Sequence, residues 1–273
     1  MFNASLGVTP QSRTIDRKVG KLYADTAMNM IDFQPMIWMS WRKKEMRVSL
    51  NYNGNTRQPS LSDLMPLTDN SNPLYITRGN PDLKQMFSHN IRLNFQNSPK
   101  GISANLGGQV EQNSVTQVMI YDVQTGGRET YPVNINGNWN LFGGASWWKR
   151  FGHFSLRLDM SGNHSNRVGM INEDKSLQPE KSTTRDTGLN CEAQASYQPS
   201  WGGIDLSTSW NYQYSLNSLN DNDTYTRYYN FGLNGYVDFP FGLQLRTDAT
   251  YNLRSGTNIQ KGEDDEILSL IHI

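Results

Sequence analysis

Apolar and polar residues alternate along most of the chain, and this pattern predicts β-strands with one apolar and one polar face. The two clearest examples flank a long loop. Residues 47–53 and 91–96 each place an apolar side chain at every second position. The segment between them, residues 57–84, has no such period and is rich in Pro and Asn. This stretch therefore predicts a strand, a long loop and a second strand.

The same alternation predicts eleven long strands, at residues 2–8, 33–42, 47–53, 91–96, 102–121, 133–147, 154–161, 189–197, 206–217, 229–239 and 243–253. Polar stretches at 9–32, 172–184 and 220–223 predict longer loops. Clusters of Gly, Pro, Asn and Ser between the other strands predict tight turns. We therefore expect tight turns and longer loops to alternate strictly along the chain.

Alternation alone also fits a soluble β-sandwich, but three features favour a membrane barrel. The strands reach the roughly 9–11 residues needed to cross a bilayer at a tilt. Long and short connections alternate, and aromatic residues such as Trp147, Tyr197 and Phe239 flank the tight turns, as in an interfacial girdle. The fold class predicted is all-β, an antiparallel up-and-down transmembrane β-barrel in the outer membrane of a Gram-negative bacterium, incomplete in this chain.

Six charged residues support this prediction, because they all fall on the face opposite the apolar one. A basic side chain facing lipid at mid-depth costs about 2–4 kcal/mol, so this polar face is expected to line a wet lumen. Abundant Asn, Gln and Ser on the same face favour a wide lumen. The charged residues are Arg157, Asp159, Glu192, Arg246, Asp248 and Arg254.

Composition narrows the function classes. The chain has 273 residues, of which 36% are hydrophobic, and 25 Lys and Arg balance 25 Asp and Glu, so nucleic acid is not an expected partner. The mean hydropathy is −0.66, and no apolar run is long enough for a transmembrane helix. Cys191 is the single cysteine, which excludes an internal disulfide. The start lacks a secretory signal pattern, which by itself suggests a cytoplasmic or truncated chain.

The long loop carries the candidates for ligand contact, namely Arg57, Asp63, Arg78 and Asn80. A structural interpretation of the same loop is favoured. Ser60 is placed to cap a single helical turn, with Asp63 three residues later. A proline at position 81 forces the preceding Asn80 into an extended conformation.

No motif predicts an enzyme, a metal site or a cofactor. The acidic runs at 220–223 and 263–266 lack the spacing of a calcium loop, and the four histidines are dispersed. Asp159, Ser161 and His164 could suggest a catalytic triad, but His164 falls on the opposite strand face. Trp210 and the turn-side tryptophans could bind glycans in the alternative fold, a soluble or surface-exposed β-sandwich.

Three runs make the prediction more specific: TRQPSLSDLMP at 56–66, RGNPDLK at 78–84 and PVNING at 132–137. Over residues 2–260 the chain resembles the barrel of TonB-dependent outer-membrane receptors, in particular a group common in Bacteroidota. The resemblance implies a barrel of about 22 strands around an N-terminal plug. It implies uptake of a large scarce ligand of the siderophore, cofactor or glycan class. The implied partners are outer-membrane lipid, the plug and remaining strands of the same protein, and an inner-membrane TonB complex.

The chain departs from this family pattern in what it lacks. A signal, a TonB box, a plug, about half of the strands and a terminal aromatic signal are missing, so we expect a fragment of a longer protein, because an open sheet would leave unpaired edges in lipid. Residues 1–260 are predicted to form the partial barrel. The tail, residues 261–273, breaks the alternation and resembles translated sequencing read-through, so it is not expected to be a native strand.

Overall fold

The computed structural model describes residues 1–19, 22–122, 124–172, 179–257 and 265–272. Within these residues strands dominate, with a one-turn helix α1 (Leu61–Leu64) and a 3-10 turn at Ser98–Lys100. The strands are β1 (Phe2–Val19), β2 (Leu22–Lys43), β3 (Met46–Arg57), β4 (Thr68–Asn72), β5 (Tyr75–Arg78), β6 (Met86–Asn97), β7 (Ile102–Gln112), β8 (Ser114–Tyr121), β9 (Arg128–Ile135), β10 (Trp139–Phe151), β11 (Phe154–Asn172), β12 (Glu180–Tyr197), β13 (Gly202–Asn217), β14 (Asn220–Asp238), β15 (Gln244–Gly256) and β16 (Asp265–His272).

Twelve of the described strands form one continuous path, in the order β1-β2-β3-β6-β7-β10-β11-β12-β13-β14-β15-β16. Every neighbouring pair on this path is antiparallel, which confirms the predicted up-and-down arrangement. The described sheet is open, with β1 and β16 at its edges. It is a single sheet, so the alternative of two packed sheets in a soluble sandwich is wrong.

Eleven of the path strands correspond to the eleven predicted from alternation. The twelfth, β16, lies in the tail where no strand was expected, and it pairs with β15 from Arg246 to Leu253. The predicted strands at 102–121 and 133–147 are each broken in two, near Asn113 and at residues 136–138. Residues 57–84 also contain two short strands, β4 and β5, that the sequence pattern did not indicate.

Several strands extend far beyond their predicted ends. Residues 9–32 were expected to form a loop, but β1 and β2 stay paired from Phe2 opposite Met39 to Val19 opposite Leu22. Of the loop expected at 172–184, residue 172 belongs to β11 and 180–184 to β12, while 173–178 lie outside the described residues. The loop expected at 220–223 lies within β14. The backbone ladder needs no apolar side chains, so a strand can continue where the alternation ends. The pattern therefore marked the part of each strand that has an apolar face and missed its continuation.

All tight turns at one end of the sheet are present, but the strict alternation of connection lengths is wrong. At the tight-turn end, Lys44 has a positive φ of 51°, and Gly101 and Gly152 have φ values of 64° and 62°. At the opposite end, the long-connection end, β3 and β6 are joined through residues 58–85, and β7 and β10 through residues 113–138. At that same end only Ser218 and Leu219 join β13 to β14.

Strand register separates the two faces of the sheet as expected. Asp159 lies opposite Glu192, and Arg246 lies opposite Tyr236. Continuing across the sheet, Glu192 faces Ser209 and Ser209 faces Asn230, so one row of polar residues crosses four strands. This polar face contains all six charged residues singled out above.

The opposite face is apolar and solvent-accessible instead of packed. Leu106, Met160 and Leu206 are each more than half exposed. Aromatic residues lie at the tight-turn end of this face, where Phe154 and Tyr197 contact each other at 5.6 Å between ring centroids. Exposed apolar area on this scale is expected where lipid is the solvent.

A second aromatic band, which the sequence pattern did not reveal, lies toward the long-connection end. Tyr212, Tyr214, Tyr225 and Tyr229 share the parity of the apolar face on neighbouring strands. Two exposed arginines with the same parity, Arg185 and Arg227, lie at this level. Since an arginine facing hydrocarbon is costly, they mark where the apolar band ends. Among the described residues no helix is both long and apolar enough to cross a membrane.

Candidate functional site

The two long connections, residues 58–85 and 113–138, fold against each other at the long-connection end, and we call them the cap. A small sheet runs through the cap in the order β4-β5-β9-β8-β11. Its β5–β9 and β8–β11 contacts are parallel, and the latter joins Val118–Ile120 to Met170–Asn172. The cap is therefore hydrogen-bonded directly to the wall formed by the twelve-strand path.

The hairpin that leaves the wall at β7 and returns at β10 changes sides as it enters the cap. In the wall β10 lies between β7 and β11, whereas in the cap β8, the continuation of β7, lies next to β11. Asn113 makes the bend with a φ of 54°. An αL conformation is several-fold more accessible to Asn than to other residues with a β-carbon.

Asparagine side chains satisfy the backbone groups that this crossing frees. Asn136 Oδ1 accepts from the Asn113 N–H at 2.7 Å, and Asn138 Oδ1 accepts from the Val168 N–H at 2.7 Å. Asn134 Nδ2 donates to the carbonyls of Asn113 and Lys84, at 2.8 and 2.9 Å. The asparagine-rich run around position 135 is thus a structural feature of the cap.

The cap contains most of the fully buried hydrophobic side chains of the described residues. Leu64 and Met65 of the α1 turn are 1% exposed, and Val118 of β8 is 0% exposed. Leu83 and Ile135 extend this core, and Val168 of β11 closes it against the wall. The cap is therefore packed like the interior of a soluble domain, in contrast to the lipid-facing wall.

The prediction that Ser60 caps a helical turn is confirmed. The Asp63 N–H donates to Ser60 Oγ at 3.1 Å, and Ser60 Oγ donates to Asp63 Oδ2 at 2.6 Å. Together these bonds end the extended chain after β3 and turn Leu64 and Met65 toward the core.

The run RGNPDLK closes over this turn. The Asn80 N–H donates to the Asp63 carbonyl, and Asn80 Nδ2 donates to the Pro132 carbonyl at 3.0 Å. A β-carbon at Gly79 would lie 2.0 Å from the Met65 carbonyl oxygen. Only glycine lets the two backbones approach so closely, which gives this motif a packing role.

Arg78 is held against the cap by an ion pair and an aromatic ring. Its Nε lies 2.9 Å from Glu129 Oε1, and its guanidinium lies 4.3 Å above the centre of the Tyr131 ring. Three of the four candidate ligand residues, Asp63, Arg78 and Asn80, therefore make contacts that hold the cap together. The fourth, Arg57, faces a cavity.

Replacing Arg78 by Ala should destabilise the cap by about 1 kcal/mol, because a half-exposed ion pair and a cation–π contact are each worth about that much or less. The full-length protein in membranes would be titrated with urea, and protection of the cap from proteinase K would be followed. Arg128→Ala is the matched control, since Arg128 lies 5.0 Å above the Tyr75 ring and makes no ion pair among the described residues. If both changes destabilised the cap equally, the ion pair with Glu129 would not contribute to cap stability.

The cavity lies between the cap, the middle of β2 and the end of β3, and its volume is about 590 Å³. Its polar lining comes from Asp32, Thr56, Arg57, Gln58, Ser60, Asp63 and Gln117. Asp32 is 7% exposed and accepts hydrogen bonds from Gln58 Nε2, at 2.7 Å, and from Gln11 Nε2. Sequence reasoning missed Asp32 because it lies in the stretch expected to be a loop.

The structure keeps the other candidate residues apart. Asp159 and Ser161 lie on the polar face, whereas His164 lies on the apolar face beside Trp139, with ring centroids 5.1 Å apart. Trp210 also lies on the apolar face and stacks on Tyr212.

Over the residues that the structure describes, no group of three or more possible metal ligands comes together. Residues 263–264 and the side chains at 220–222, 265–266 and 272 lie outside the described part.

Comparison with known proteins gives one family. A family model described as "Outer membrane protein beta-barrel family" matches residues 14–270. No curated protein matches the chain. Among solved structures, the crystal structure of the β-domain of the Bordetella autotransporter BrkA matches with a TM-score of 0.35 and 9% identity, covering 99% of this chain and 96% of that one.

Proposed function

Because the chain belongs to the outer membrane protein β-barrel family, whose model matches residues 14–270, we propose that it forms part of the wall of a TonB-dependent receptor. In this proposal the polar face lines the lumen, a plug supplied by the same protein fills it, and the cap lies on the extracellular side. The ligand is a large scarce molecule that crosses the outer membrane with energy transmitted through TonB.

The observation that carries the proposal is the width of the polar face. Twelve strands form the described path without closing, so a barrel that contains them has more than the eight strands whose side chains can fill the interior. A wide lumen holds water or a plug. Outer-membrane transporters of about 22 strands have a plugged lumen.

The chemistry of the polar face fits contact with a hydrophilic plug. Arg157 Nε lies 2.6 Å from Asp159 Oδ2, and Arg167 lies 2.7 Å from Asp186 Oδ2. Tyr228 Oη donates to Asn252 Oδ1 at 2.7 Å. Paired charges and amides offer many hydrogen-bonding groups with little net charge.

The position of the cap also supports a receptor. Outer-membrane barrels have short periplasmic turns and longer extracellular loops, so the long-connection end faces outward. A packed cap at this end would give an incoming ligand a fixed surface.

Binding of TonB by the full-length protein tests the proposal. Full-length protein purified in detergent should bind the periplasmic domain of TonB from its own bacterium, and deletion of its N-terminal TonB box should abolish binding. Immobilised TonB domain with surface plasmon resonance would measure both. An intact protein that gave the same response as the deletion variant would contradict the proposal.

A further inference from the structure

We propose that the cavity between the cap, the middle of β2 and the end of β3 binds a neutral, hydroxyl-rich small molecule such as a saccharide. This inference rests on the extracellular position of the cap in the proposed function. It adds a binding site and narrows the ligand class. It does not depend on coupling to TonB. The cavity volume of about 590 Å³ lies in the range of roughly 300–1,000 Å³ that is usual for small-molecule sites.

The lining alternates hydrogen-bond donors and acceptors. Arg57 and Gln117 supply N–H donors, while Asp32 and Asp63 supply carboxylate acceptors. A hydroxyl group both donates and accepts, so a molecule with several hydroxyls can match both kinds of group at once. An apolar ligand would cover Arg57 without giving it a partner and would leave the spare acceptor capacity of the carboxylates unused, which is costly in a partly buried site.

Asp32 is the most informative group of the lining. Its side chain is more than nine-tenths buried, and its two oxygens accept from the amides of Gln58 and Gln11. No Lys, Arg or His among the described residues forms an ion pair with it. An ionised carboxylate can accept about four hydrogen bonds, so it has capacity for ligand hydroxyls in addition to the two amides.

Arg57 and Asp63 complete the polar lining with opposite charges. Arg57 is exposed, and it forms no ion pair within the described part of the chain. Asp63 Oδ1 accepts from Gln117 Nε2 at 3.4 Å, a long bond that a ligand hydroxyl could replace. With two carboxylates and one guanidinium, the cavity disfavours a strongly anionic ligand.

Apolar side chains line the rest of the cavity and suit the carbon atoms of such a ligand. Pro59, Met86 and Val115 provide this surface. Sugar rings present both C–H faces and hydroxyl edges, so a mixed lining fits them better than it fits an ion or an aliphatic chain.

Direct binding tests this inference on the full-length protein in detergent. A panel of neutral disaccharides, matched amino sugars and uronic acids would be screened by saturation-transfer NMR and then titrated by calorimetry. We expect at least one neutral disaccharide to bind saturably. Arg57→Ala and Gln117→Ala should each weaken that binding at least tenfold.

The matched control is Gln124→Ala, because Gln124 is an exposed glutamine of the cap that does not line the cavity. It should leave binding unchanged. Failure of every neutral disaccharide to bind, binding of only the charged sugars, or equal affinities for the wild type and both cavity variants would overturn the inference. Equilibrium binding needs no TonB, so this outcome is separate from that of the TonB experiment.

Discussion

Replacing Leu64 by Ala is expected to open the cap to protease while leaving the barrel wall intact. Leu64 is 1% exposed in α1, and its neighbour Asp63 accepts a hydrogen bond from Gln117 of β8. A buried Leu→Ala change costs about 2–5 kcal/mol because it removes contacts and leaves a cavity. If local opening of the cap costs only a few kcal/mol, this loss leaves the cap open for a substantial fraction of the time.

Trypsin on intact cells would measure this opening. The loop between β3 and β6 contains Arg78 and Lys84, and we expect cleavage there in the Leu64→Ala variant and protection in the wild type. Leu74→Ala is the matched control, since Leu74 belongs to the same loop but is 46% exposed. If both variants were cut at the same rate, the packed cap core would not be what protects the loop.

Placing an arginine on the apolar face should destabilise the protein in the membrane. Leu206 is 52% exposed on the lipid-facing side of β13, between Ala195 and Leu233 on the neighbouring strands. Leu206→Arg is expected to cost about 2–4 kcal/mol at mid-depth, because the guanidinium must leave water for hydrocarbon.

The same change on the other face gives the control. Ser209 belongs to the polar face of the same strand, and Glu192 lies directly opposite. Ser209→Arg should therefore change stability little. Urea unfolding of the full-length protein in lipid vesicles, followed by tryptophan fluorescence, would compare the two variants. Similar losses for both would show that the apolar face does not contact lipid.

The sequence contained enough information to predict the wall. Alternation assigned the correct face to Leu158, Asp159, Leu206 and Ser209, because a strand of period two has no other way to divide apolar from polar residues. Registers followed from the tight turns, which are local and rich in Gly, Pro and Asn. Chain order then implied the antiparallel neighbours.

The cap could not be predicted in the same way. Its short strands pair through parallel contacts between segments distant in sequence, such as Tyr75–Thr77 with residues 128–130. No local period specifies such a contact. One local signal did point to it: Ser60 followed by Asp63 indicated the α1 turn, and the apolar Leu64 and Met65 after it required a partner surface.

The cavity could not be predicted from the sequence for a related reason. Asp32 and Gln117 lie 85 positions apart in the sequence and meet only because β2 extends beyond the lipid-facing band and β8 crosses toward β11. Polar residues outside that band show no alternation, so the sequence pattern gave no reason to join them. Arg185 and Arg227 mark the edge of the apolar band. They were the sequence signal for the position beyond which alternation no longer predicts strands.

Backbone hydrogen bonds join the cap to the wall where the chain crosses near Asn113. Because β8 shares a parallel ladder of three residue pairs with β11, lifting this part of the cap would first have to break those hydrogen bonds, at about 0.5–1.5 kcal/mol each. A displacement of β11 in the membrane would in turn pull on β8 and Val118. We therefore expect movement of this part of the wall to reach the cap through the backbone.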